Sequence, residues 1–175
     1  MLDQDLKSKI NLLWDKFWSN GVSNPIQAIE QISYLLFMKK LEDEDNKRKI
    51  EASKNGNNYS SIFPNKNLKW SVWSHYDAEK MLDHVRDEVF PYLREINGPE
   101  SKYNYYMKDA VFNIPSPSLM VEAVRTINRL NIKEKNKDTK GDIYEYLLSQ
   151  LSISGKNGQF RTPRHIIKLM TEIVN

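Results

Sequence analysis

The chain has no cysteine and only three histidines, His75, His84 and His165. Without thiols there is neither a disulfide framework nor a thiolate metal site, which fits a reducing cytosol. The histidines lack the spacing of zinc ligands, so no metal site is expected. Long hydrophobic runs are missing too. The longest aliphatic and aromatic run covers residues 34–38, against the roughly 20 apolar residues that a membrane-spanning helix needs. The first residues, MLDQDLKSK, carry acids where an export signal carries a basic stretch, so neither export nor a membrane span is expected. The Asn58-Tyr59-Ser60 sequon therefore lacks the context that would make it a glycosylation site. No repeat and no sustained heptad occurs, which excludes a solenoid and a long coiled coil.

What is there is a chain of 175 residues, 39% hydrophobic, long enough for one core with at most a small appendage. Its formal net charge of +3 is compatible with nucleic acid without demanding it. Helical spacing dominates. From Leu6, the apolar residues Ile10, Leu13, Trp14, Phe17 and Trp18 recur at helical steps. This aromatic face reads as core, the alternative being a groove for a partner helix. Asn24 is placed to cap a second helix with Pro25 at its first position, and Ile26, Ile29, Ile32, Leu35 and Leu36 form its stripe. The run Glu42-Asp43-Glu44-Asp45, followed by Lys47-Arg48-Lys49, reads as the solvated end of that helix.

Residues 54–69 are rich in Asn, Ser, Gly and Pro and read as a long surface loop anchored by Ile62-Phe63-Pro64. Trp70, Val72 and Trp73 follow, either as a short strand or as an irregular segment pinning the loop to the core. Asp77 is placed to cap a helix bearing Met81, Leu82, Val85, Val89 and Phe90, which Pro91 ends or kinks. The Tyr105-Tyr106-Met107 cluster reads as packing at a helix junction, and Ser116-Pro117 starts a helix with Val121, Val124, Ile127 and Leu130 on one face. Residues 133–140, KEKNKDTK, form a polar spacer, and Gly141-Asp142 opens the apolar helix IYEYLLSQL. The expected fold class is all-α, a bundle of about six or seven helices with one long loop and a short strand-like segment near Trp70 and Trp73.

The segment GKNGQFRTPRHIIKLMTEIVN, at 155–175, has the features of a ligand seat. Thr162 is a good N-cap and Pro163 is pre-set for the first helical turn. The helix behind them carries Ile166, Ile167, Met170 and Ile173 as its expected buried stripe. Its free N–H groups and positive dipole end suit a carboxylate or phosphate. Gly155 and Gly158 allow close approach of the backbone, and Arg161 and Arg164 add positive charge.

Gly158-Gln159-Phe160-Arg161-Thr162-Pro163-Arg164 resembles the Gly-Gln-Phe-Tyr-Thr-Pro-Arg motif of adenine-N6 DNA methyltransferases, in particular the modification subunit of type I restriction systems. Gly141-Asp142-Ile143-Tyr144-Glu145-Tyr146-Leu147-Leu148 is similar to the helix that precedes that motif in the family, and the N-terminal aromatic helix is similar to the start of its helical domain. The resemblance implies a helical N-terminal domain at 1–152 and the start of an S-adenosylmethionine-dependent methyltransferase domain at 153–175. It implies that Gln159, Phe160, Arg161, Thr162, Pro163 and Arg164 form one wall of the S-adenosyl-L-methionine pocket. One departure stands out: Arg161 occupies the position of the family's usual aromatic residue.

The resemblance further implies DNA as substrate, a specificity subunit, a restriction subunit or a second copy of the same subunit as partners, and a cytoplasmic location. The family's glycine-rich cofactor loop and its Asn-Pro-Pro-aromatic motif for the flipped adenine have no counterpart here. The chain has no Gly-x-Gly, and its only Asn-Pro, Asn24-Pro25, is explained by capping. No catalytic residue is therefore expected within these residues, and alone they are expected to be inactive. The competing reading is a free-standing helical module that binds DNA through Lys133, Lys135, Lys137 and Lys140, or that binds a partner protein, without catalysis.

Overall fold

The computed structural model describes residues 4–96, 98, 105, 107–130, 143, 145–147, 149 and 164–174. Among them are seven α-helices: α1 (Gln4–Ser19), α2 (Pro25–Asn55), α3 (Trp70–Trp73), α4 (Ala78–His84), α5 (Phe90–Glu95), α6 (Pro117–Arg129) and α7 (Arg164–Val174). No strand occurs among the described residues. The all-α expectation holds.

In α1 the buried side chains are Leu6, Ile10, Leu13 and Phe17, spaced so that each lies one turn from the next. Trp14 is half-buried against them, whereas Trp18 is 52% exposed and does not belong to the stripe expected for it. The helix stops at Gly21, whose φ of 90° is open to glycine and strained for other residues. The Gly21 N–H donates to the Trp18 carbonyl and the Val22 N–H to the Phe17 carbonyl, which ties off two otherwise unpaired helix-end acceptors while Val22 is buried beside them.

Asn24 caps α2 as expected, its side chain accepting from the Ile26 N–H at 2.9 Å. The helix then runs through the centre of the molecule, packed by α1, α3, α6 and α7. Its buried face does not stop at the apolar residues. Glu42 and Asp45 are 6% and 0% exposed, so this part of the acidic run is not a solvated helix end. The two carboxylates lie one turn apart on the inward face; Asp45 finds its partners within the loop, at Ser61, Ile62 and Lys69, and Glu42 just beyond it, at Ser71.

Trp70–Trp73 forms one α-helical turn rather than a strand. Alternation would send Trp70 and Trp73 to opposite sides, but helical spacing puts both rings in the core, 4.6 Å apart and edge to face. Glu42 supplies the missing cap from outside the segment, its carboxylate accepting from the Ser71 N–H at 2.7 Å and the Ser71 hydroxyl at 2.5 Å.

Asp77 caps α4 by accepting from the Lys80 N–H at 3.0 Å. Pro91 neither ends nor blocks the helix. An interior proline removes a main-chain donor and presses its ring on the carbonyl one turn back. A π-turn, Val85–Val89, precedes it directly, closed by the Phe90 N–H donating to the Val85 carbonyl. The widened turn lets the helix continue to Glu95. α6 packs on α4, α1 and α2, and all these elements share one hydrophobic core.

Candidate functional site

Of the residues expected to form the cofactor wall, Gln159, Phe160, Arg161, Thr162 and Pro163 lie outside the described residues, and Arg164 is the first residue of α7. What the structure places is the helix that this motif opens. Ile166 and Leu169 are fully buried and Ile173 is 4% exposed, while Ile167 is 50% exposed. The inward stripe is thus Ile166, Leu169 and Ile173, with Met170 partly buried beside it. Ile167, expected inside, sits a third of a turn away from Ile166 and faces out.

α7 packs against α2, and its buried residues belong to the same core as α1 to α6. At its far end the Lys40 ammonium of α2 donates to the Glu172 carbonyl at 3.2 Å and to the Ile173 carbonyl. Both carbonyls lie within two residues of Val174, the last described residue of α7.

The preceding motif is also joined to the core. Ile143 and Leu147 are buried, and the Tyr146 hydroxyl donates to Asn11 Oδ1 at 2.6 Å while Lys7 Nζ stands 5.9 Å from the Tyr146 ring centre. One motif element therefore meets α1 and the other α2.

The electrostatics of α2 concentrate at Asp45. Its Oδ1 accepts from the Ile62 N–H at 2.8 Å, and its Oδ2 accepts from the Ser61 hydroxyl at 2.8 Å and Lys69 Nζ at 3.1 Å. Burial alone would push the carboxyl up, but the Tyr59 hydroxyl, the Ile62 N–H, Ser61 and Lys69 outweigh it and hold the pKa at about 2. The Tyr92 hydroxyl donates to the Ile62 carbonyl, and burial, with the nearby Asp45 charge, pushes its pKa up. Ile62 and Phe63 are thus the loop's anchor, as expected.

The outer side of α4 is acidic, an open trough lined by Asp77, Glu79, Asp83, Asp87 and Glu88, with Lys80 and His84 among them. Arg86 bridges two of these carboxylates, Asp83 and Asp87, each at 2.8 Å. Such a surface repels a phosphate backbone. Among the described residues no group of His, Cys, Asp and Glu could hold a metal ion, and no helix is long and apolar enough to cross a membrane.

Fold and motifs define the class: an all-α domain whose core takes in the helix that follows the GQFRTPR segment. Residues 6–127 match the HsdM N-terminal domain family and residues 135–175 match the N-6 DNA Methylase family. The chain belongs to the first of these, the helical N-terminal domains of type I modification subunits. It is similar to the type I restriction enzyme EcoEI methylase subunit of Escherichia coli, 25% identical over 166 residues that cover 89% of this chain and 33% of that protein. The chain thus spans about a third of its relative's length. No solved structure matches it.

Sequence reasoning missed Gln31, Lys40, Glu42 and Asp45 as organising residues. A signal was present: residues 28, 31, 35, 38, 42 and 45 follow one helical face, and three of them are polar. A polar side chain in register with an apolar stripe is a buried polar group that must have a partner.

Proposed function

We propose that this chain is the N-terminal part of a DNA methyltransferase subunit that transfers a methyl group from S-adenosyl-L-methionine to adenine N6 within a type I restriction-modification system. Residues 1–152 would form the helical domain and 153–175 the start of the methyltransferase domain. The observation that carries the reading is the order of the two family matches along one chain, with GDIYEYLL and GQFRTPR both inside the second.

On this reading Gln159 to Arg164 form one wall of the cofactor pocket. The Thr162-Pro163 helix start receives the cofactor's α-carboxylate through main-chain N–H groups and the Thr162 hydroxyl. The cofactor supplies an electrophilic methyl group. The residues of this chain bind and orient it, and the groups that grip adenine come from elsewhere in the subunit.

The helical domain helps to enclose DNA and to assemble with the specificity subunit and, through it, the restriction subunit. The acidic face of α4 is unsuited to DNA, so the DNA-facing side lies elsewhere. The exposed cations Lys47, Arg48, Lys49 and Lys54 near the end of α2 are compatible with it. Alone the chain is inactive.

The test is methyl transfer by the full-length subunit with its specificity partner, using labelled cofactor and nucleoside analysis of the product DNA. N6-methyl-2′-deoxyadenosine is the expected product; cytosine methylation or no transfer overturns the assignment. Thr162→Val is expected to weaken cofactor binding about 10-fold, the worth of one hydrogen bond to a charged group. Unchanged affinity would remove Thr162 from the site.

A further inference from the structure

We infer that the far end of α2 is a DNA-backbone arm, in which Lys47 and Lys54 meet phosphates from the face turned away from the body of the domain. The inference rests on the methyltransferase reading given above, which supplies the duplex, and it names the residues of this domain that touch it.

Asp45 is the last buried residue of α2. Residues 46–55 carry the helix on for about 15 Å beyond it, at 1.5 Å per residue, and of these only Ala52 is even half-buried. The extension gives no side chain to the core. What it carries is charge: Lys47, Arg48, Lys49 and Lys54, all exposed, against the single acid Glu51.

Two structural uses of these cations fall short. A helix dipole favours positive charge at its C-terminus, but the effect fades beyond the last turn, which holds Lys54 and none of the other three. Nor do ion pairs account for them, since no carboxylate among the described residues pairs with any of the four. The charge is also segregated, because the acids gather on the outer side of α4.

Helical geometry sorts the four by direction. At about 100° per residue, Asp45 and Ala52, which mark the side toward the body, stand about 140–160° from Lys47. Lys54 lies within about 20° of Lys47 and about 10 Å further along the axis. That separation matches about three phosphate steps along one strand of a duplex, at about 3.4 Å of axis each. Lysine suits phosphate as a compact point charge. Lys49, about 160° from Lys47, does not share this face, and Arg48 lies at its flank. Glu51 projects between Lys47 and Lys54, so it opposes the contact that they make. Phosphate contacts carry no base information, so the arm adds affinity and fixes orientation without reading sequence.

The test uses the full-length subunit assembled with its specificity partner, and duplexes with and without the recognised sequence, with Kd measured across a range of salt. Lys47→Gln is expected to lower the slope of log affinity against log salt by about 1, and Lys47→Gln with Lys54→Gln by about 2, weakening both duplexes by the same factor. Lys49→Gln removes the same charge from the other side of the helix and is expected to leave the slope unchanged. Glu51→Gln is expected to tighten binding. Glutamine is a good helix former and every position is exposed, so melting temperatures are expected to match the native protein.

An unchanged slope in the double variant, an equal fall in Lys49→Gln and Lys47→Gln, or binding no tighter than native in Glu51→Gln overturns the proposal. Loss of assembly with the specificity subunit at an unchanged slope overturns it too, since a protein partner would then occupy this face. Failure of the native assembly to bind any duplex is a different result, because it removes the functional reading itself.

Discussion

Asp45 Oδ2 and Lys69 Nζ meet at 3.1 Å with the carboxylate fully covered and the lysine side chain 23% exposed. The pair closes the long loop onto α2, and its acid arm is set by the surrounding donors rather than by the lysine alone. The carboxyl is held at about 2 in the folded protein against an ordinary value of 3.8.

A depressed folded-state pKa gives a stability contribution that is complete above the unfolded value and is lost as pH falls through the folded one. Between pH 4 and pH 2 the native protein should lose about 2 kcal/mol at most from this group, by the linkage of pKa to stability. Asp45→Asn should cost a similar amount at neutral pH and flatten that part of the acid profile. Urea denaturation across the pH range measures both.

Gln31 makes the second long-range tie. Its Oε1 accepts from the Asn113 N–H at 2.8 Å and its Nε2 donates to the Val111 carbonyl at 3.1 Å, with the side chain 1% exposed. Gln31→Leu should destabilise by about 1–2 kcal/mol, since the removed amide leaves two main-chain groups to find other partners. Gln31→Glu should cost more, because a carboxylate cannot donate to Val111 and would be buried. Thermal melts of the two variants rank them.

α7 offers a contrast within one helix. Leu169→Ala should cost about 2–5 kcal/mol, as for other fully buried leucines, whereas Ile167→Ser should stay within about 0.5 kcal/mol. Equal effects would mean that α7 is not seated on the core through Leu169.

Trp18 should carry the water-exposed fraction of the tryptophan fluorescence, since Trp70 and Trp73 are buried and Trp14 is half-buried. Trp18→Ser should shift the emission to shorter wavelength and reduce acrylamide quenching, with a stability change within about 0.5 kcal/mol. An unchanged spectrum would place Trp18 in the core.

The helices were legible because their boundaries are written in local chemistry. Asn24-Pro25, Asp77 and Ser116-Pro117 each cap as their residue types require. The misread Trp70–Trp73 segment and acidic run have one source. Trp70–Trp73 gains its helical cap from Glu42, distant in sequence, and the burial of Glu42 and Asp45 depends on partners in the loop and just beyond it. Local spacing cannot show which chain segment supplies a partner. The motif was legible as a sequence pattern, with Thr162, Pro163 and their neighbours in order, whereas the contact of Lys40 with the Glu172 and Ile173 carbonyls joins residues 132 and 133 positions apart and left no local trace.

One consequence of α2 concerns length. Gln31, Lys40, Glu42 and Asp45 fasten four separate stretches of chain to one rod, and the first and last lie about 21 Å apart at 1.5 Å per residue. The rod is a ruler whose marks must keep their angles as well as their spacing. Inserting a single residue between Gln31 and Lys40 would turn every later mark by about 100°, releasing α7, α3 and the loop together. Evolutionary change in this domain is therefore expected to alter what hangs from α2 far more readily than the number of residues along its middle.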